Sequence, residues 1–137
     1  MKANIITLVA LLAATAWLVL HLHLIAWTPV KMAGGVLAGA AVVGLVMARL
    51  QLGASFSVKA KATKLVTTGV YAKIRNPIYV FGLLFLFGLA LVLENWLLLI
   101  VVAILVPVQM ARARKEEAVL HQAFGAEYER YKAGTWF

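Results

Sequence analysis

The chain has 137 residues, 64% of them hydrophobic and only 13% charged, with 13 Lys and Arg against five Asp and Glu for a formal net charge of +8. Whole windows of about 20 residues carry no charge, which excludes an ordinary soluble domain and reads as an all-α integral membrane protein, one domain over residues 1–137. The positive charges flank apolar runs and form no stripe, so anionic lipid headgroups are expected as partners and nucleic acid is not; with no cysteine, a disulfide framework, a thiolate nucleophile and a thiolate metal site are all ruled out.

The first span is expected at residues 4–27. Ala14-Thr15-Ala16 resembles a small-residue cleavage site, but the apolar run continues past it to Trp27, which favours a retained helix over a signal peptide. Trp27 fits an interfacial anchor. His21 and His23 are two residues apart, hence about 200° apart on a helix, and cannot clamp one metal ion from a single face. No metal site is expected.

Thr28-Pro29-Val30-Lys31 reads as a short turn before a second span at 32–50, which is rich in small residues. Gly35 and Gly39 form a GxxxG step, and Ala40 and Gly44 repeat the spacing. Such faces let helices approach closely in lipid, either a second copy of the chain or the first helix. The polar stretch that follows holds Lys59, Lys61, Lys64, Lys73 and Arg75, a solvated positive loop in which 57–61 alternates as a surface-lying segment would. Spans at 78–93 and 96–110 are joined by Glu94-Asn95, a connection so short that it demands an antiparallel hairpin. Pro107 predicts a kink in the second arm. A cytoplasmic amphipathic tail helix follows within 111–137, with Glu116, Leu120, Phe124, Tyr128 and Tyr131 on one face.

Four spans put Lys2, the 49–75 stretch and the 112–132 stretch on one side, leaving Lys31 as the exception. The positive-inside rule makes that side cytoplasmic, with both termini there, in the cell (inner) membrane. Arg75, Asn76, Glu116 and Glu117 therefore share one face of the bilayer. Asn76 has the chemistry of an N-cap and Pro77 that of a first helical residue. A helix N-terminus beside a guanidinium suits a carboxylate or phosphate. A plain capped boundary and a solvated Arg112–Glu116 pair remain the simpler structural readings of the same residues.

The residues Thr67-Thr68-Gly69-Val70-Tyr71, Arg75-Asn76-Pro77-Ile78-Tyr79-Val80-Phe81-Gly82, Glu116-Glu117-Ala118-Val119-Leu120 and Phe124-Gly125-Ala126-Glu127-Tyr128-Glu129-Arg130-Tyr131 stand in that order around the hairpin. They resemble the membrane methyltransferases of the isoprenylcysteine carboxyl methyltransferase and phospholipid methyltransferase superfamily, over the C-terminal half of the chain. The resemblance implies transfer of a methyl group from S-adenosylmethionine, leaving S-adenosylhomocysteine, to a lipid-like acceptor arriving from the bilayer. It implies catalytic roles for Arg75, Asn76 and Glu116. It implies a cofactor pocket drawn from Tyr71, Arg75, Asn76, Pro77, Tyr79, Gly82, Glu116, Glu117, Phe124 and Tyr128.

Two departures shape the acceptor. Asn76 stands where the family pattern has histidine, and an amide cannot take a proton at neutral pH. An isoprenylcysteine-type carboxylate, which needs no general base, is therefore expected before a phospholipid amine. The family pattern also continues into an Arg- and Pro-containing tail that is not matched at 134–137, so acceptor recognition is expected to differ. The rival classes are a non-catalytic membrane subunit that keeps the fold and a small multidrug-type transporter. The transporter requires a charged residue inside a span, and no expected span holds one away from its ends.

Overall fold

The computed structural model describes residues 13, 16, 17, 19, 20, 26–53 and 65–136, and every regular element among them is helical. Most of the expected first span, with His21 and His23, lies outside the described residues, as do Lys59, Lys61 and Lys64 and the 57–61 segment. Helix α1 is Pro29–Leu52, α2 is Pro77–Val92, α3 is Trp96–Phe124 and α4 is Ala126–Ala133. A short 3-10 turn at Gly69–Ala72 precedes α2.

Helix α1 starts three residues earlier than the second expected span. Thr28 and Pro29 open it rather than forming a turn. The Thr28 hydroxyl accepts from the Lys31 backbone N–H (3.3 Å), while Pro29 takes a position where its missing N–H costs nothing. Opposite that end, Glu94 adopts a left-handed φ of 49° in the α2–α3 turn. Its carboxylate accepts from Thr28 Oγ1 (3.4 Å) and pairs with Lys31 Nζ (3.3 Å). Among the described residues, Lys31 is the basic residue at this end of the helices, and it has a local acidic partner. Asn95 then caps α3, its side chain accepting from the Leu97 N–H at 3.0 Å.

Helices α1 and α2 run antiparallel in the tightest contact of the fold. Gly34, Ala38, Ala41, Gly44 and Ala48 are the buried residues of α1, spaced by three and four so that they make one stripe. A Cβ added to Gly88 on α2 would stand 2.7 Å from both the Ala38 nitrogen and the Gly34 oxygen, and one on Gly44 2.6 Å from the Phe81 ring. Ala38, Ala41 and Phe85 form the core, with Val42, Leu45, Leu84 and Leu89 packed around it. The Gly35/Gly39 step, expected to face a second copy of the chain or the first helix, takes no part in this contact. Gly35 and Gly39 point about 100° away from the contact, and among the described residues a Cβ on Gly39 would meet nothing within 4 Å. They line an apolar groove of about 640 Å³ with Val19, Trp27 and Phe85. The contact with α2 uses the neighbouring stripe, where Ala38 is small enough to stand in for a second glycine.

Helix α3 differs from the two pieces expected. Span and tail are one rod, which runs through Pro107 and ends at Gly125, where a φ of 49° breaks it before α4. From Val108 to Phe124 no proline or glycine interrupts a run of good helix formers, so propensity carries the helix out of the apolar zone. At 1.5 Å per residue the rod is roughly 43 Å long, more than a hydrocarbon core of about 30 Å. Helices α1 and α3 are long and apolar enough to cross a membrane. The 16-residue α2 is shorter. Helix α3 buries none of its apolar window, exposing Trp96, Ile100, Ile104 and Val108. An apolar surface of that extent is unstable in water and at home in lipid.

Candidate functional site

The segment before α2 is fixed by Gly69. Its φ of 63° lies in the left-handed region, and a Cβ there would run into the Gln51 side chain from the last turn of α1. Gln51 comes that close because its Oε1 accepts from the Val70 N–H at 2.8 Å. The turn delivers Tyr71 into the interior, 7% exposed. Gly69→Ala is expected to lower stability by about 2 kcal/mol, from the forced φ and the displaced Gln51 together. A melting temperature equal to that of the wild type would show that the turn does not need glycine.

Downstream, the chain brings the basic and acidic motif residues together. Arg75 Nε donates to Glu117 Oε1 at 3.1 Å, and Asn76 Nδ2 donates to the same oxygen at 3.3 Å. The Tyr79 hydroxyl donates to Glu116 Oε1. The carboxylates come from α3, a turn and more beyond its apolar part, and face the first turn of α2. Asn76 occupies the N-cap position, yet its side chain makes no capping bond. The expected capping role is therefore corrected: Glu117 offers the amide a charge-assisted bond, stronger than a neutral cap. The Arg75 and Glu117 side chains are 18% and 21% exposed, so their pairing is much less screened than a surface ion pair.

Helix α4 closes the cluster from the other side. Lys132 Nζ stands 4.0 Å from Glu117 Oε2. Tyr128 is 1% exposed and packs against Tyr131 at 6.1 Å between ring centres. Tyr131 donates its hydroxyl to the Tyr71 carbonyl at 2.7 Å. Burial pushes the Tyr131 hydroxyl up to about 12, with Tyr128 and Glu117 adding to the shift and Arg75 opposing it. Burial is likewise the main cause that raises Tyr71 well above the ordinary phenol range. At neutral pH both phenols keep their protons.

Of the residues the sequence singled out, Arg75, Asn76, Tyr79, Glu116 and Glu117 meet directly, with Tyr71 and Tyr128 packed behind them. Pro77 is buried at the start of α2. Gly82 lies one turn deeper on the Tyr79 side of α2, where an added Cβ would find open space. Phe124 is half-buried at the end of α3, and the break at Gly125 separates it from the Tyr128 stripe it was expected to join. Sequence reasoning missed Gln51, Lys132 and Thr135. The first lies 19 residues from its partner and the others beyond the acidic pair, and no spacing rule links them to the arginine segment.

These features define a helical membrane protein with a polar cluster at one end of its apolar helices, built from a guanidinium, two carboxylates and an amide. The chain belongs to the phospholipid methyltransferase family, whose model matches residues 30–127. The superfamily resemblance in the motifs is thus borne out, and the protein is a membrane methyltransferase. The matched residues include α1 from its second residue on, α2, α3 and all five directly meeting side chains. No curated protein and no solved structure shows a significant match to the chain.

Proposed function

We propose that this methyltransferase moves a methyl group from S-adenosylmethionine to a lipid-like acceptor at the cytoplasmic membrane face, with an isoprenylcysteine-type carboxylate as the preferred acceptor. The observation that carries the reading is the convergence of Arg75, Asn76, Glu116 and Glu117, drawn from segments about 40 positions apart. Those side chains suit the cofactor's polar groups: Arg75 donates to its carboxylate, and Glu116 and Glu117 accept from its ammonium and ribose hydroxyls. Tyr71, Tyr79 and Phe124 supply aromatic surface for the adenine, with Pro77 and Tyr128 as the walls behind them and Gly82 leaving room beside Tyr79. When bound, the cofactor supplies a methyl group already activated by its positive sulfur. The chain's part is to orient two reactants and exclude water.

The acceptor preference rests on proton chemistry. Tyr71 and Tyr131 hold their protons, Asn76 cannot accept one, and both carboxylates already accept hydrogen bonds from the chain. A carboxylate acceptor needs no base. The family description favours a second reading, methylation of a phospholipid amine, in which Glu116 would take the proton released. The proposed topology has four spans, at 4–27, 32–50, 78–93 and 96–110, with both termini and the polar cluster on the cytoplasmic side of the inner membrane.

Calorimetry of S-adenosylhomocysteine with detergent-purified protein tests the cofactor site. Micromolar binding is expected for the wild type, with at least about a tenfold loss in Glu116→Ala. No binding in well-folded wild type would leave a non-catalytic membrane subunit as the better reading. Methyl transfer to a prenylated cysteine acid, with none to phosphatidylethanolamine, is then expected, and the reverse preference would overturn the carboxylate assignment.

A further inference from the structure

Past the matched residues, the chain lays a strap over the arginine segment. The Trp136 N–H donates to the Lys73 carbonyl at 2.9 Å, and the Lys73 ammonium stands 5.9 Å from the centre of the Trp136 ring. One turn back, Tyr131 is bonded to the Tyr71 carbonyl. Between these two attachments, Thr135 Oγ1 accepts from Arg75 Nη1 at 3.0 Å and donates to the Lys132 carbonyl at 2.9 Å.

We infer that Thr135 is a positioning residue for Arg75, and that the strap 131–136 sets the orientation in which the guanidinium meets its ligand. The inference rests on the reading of Arg75 as the group that receives the cofactor's carboxylate. A hydroxyl has one proton to give. Thr135 spends it on Lys132, so its lone pairs are turned to Arg75 and the acceptor is directional. Glu117 holds the guanidinium at Nε while Thr135 holds it at Nη1, and the two partners come from different elements. An arginine side chain fixed at both points of its fork has lost its rotamer freedom before any ligand arrives, and so binds without that cost. A carboxylate alone leaves the plane of the fork free to swing.

The test pairs two measurements on full-length protein: S-adenosylhomocysteine calorimetry, and the Arg75 Nε–H resonance of the ligand-free form by side-chain NMR. Thr135→Val keeps the shape and removes the acceptor, Thr135→Ala is its companion should the first fold poorly, and Thr135→Ser restores the hydroxyl. Affinity is expected to fall about five- to tenfold in the Val and Ala variants and to return in Ser. The Nε–H signal should be sharp and slow to exchange in wild type and Ser, and exchange-broadened in Val. In an Arg75→Lys background, Thr135→Val should add little further loss, since the group it acts through is gone. Wild-type affinity and an unchanged Nε–H signal in Val would overturn the positioning role. A wild type that binds nothing, while Val still loses its Nε–H signal, would remove the cofactor reading and sustain the positioning role.

Discussion

Glu117→Ala should cost the protein both its cofactor affinity and part of its fold. One carboxylate oxygen accepts from Arg75 and from Asn76, and the other faces Lys132, so three residues from two chain segments lose a common partner together. The guanidinium left behind is mostly out of solvent, and an uncompensated charge there is expensive. Allowing for the fifth of each side chain that water still reaches, the expected loss is about 2 kcal/mol of stability. The loss of S-adenosylhomocysteine binding should be about a hundredfold, because Arg75 and Asn76 are no longer held. Glu117→Gln keeps an acceptor and loses the charge, so it should fall between. Thermal unfolding in detergent, run beside calorimetry, separates the two effects. A Glu117→Ala protein that melts and binds like wild type would mean that the cluster is not organised by this carboxylate.

The larger effect on folding is expected at Gly88. A Cβ there collides with the backbone nitrogen of Ala38 and the backbone oxygen of Gly34, and neither can turn aside as a side-chain tip would. Gly88→Val should force α1 and α2 apart and cost about 3 kcal/mol or more. The control is on the same pair of helices. Gly39→Ala meets nothing within 4 Å among the described residues and replaces a poor helix former with the best one, so it should be neutral or stabilising by up to about 1 kcal/mol. Melting temperatures in one detergent decide between them. Equal stability of the two variants would refute the assigned contact face.

How much of this was legible from the sequence depends on the reach of each signal. The helix start at Pro77, the turn at Glu94-Asn95 and the pairing of the arginine segment with the acidic pair all follow from local chemistry and from motif order. The face that α1 presents to α2 did not follow, because the choice between Gly34 and Gly35 is made by Gly88 across the contact. Asn76 was legible as a capping residue and turned out to have a better offer from Glu117, a partner 41 positions away. The unbroken run of α3 past Pro107 was hidden by a change of composition, from apolar to charged, that alters the solvent around a helix without ending it. Thr135 and Gln51 carried no signal at all, since a lone hydroxyl or amide acquires meaning only from what the fold sets beside it.

The length of α3 has a consequence for where this protein can work. The same unbroken rod is capped by Asn95 at one end and presents Glu116 and Glu117 toward the other. Its apolar part, from Trp96 to Met110, spans about 23 Å at 1.5 Å per residue, less than a hydrocarbon core of about 30 Å, and a short span is met by thinning of the bilayer around it. Such thinning draws the headgroup layer toward the polar cluster that α3 shares with the arginine segment. Thin bilayers are therefore the ones expected to hold this cluster at their surface with the least deformation.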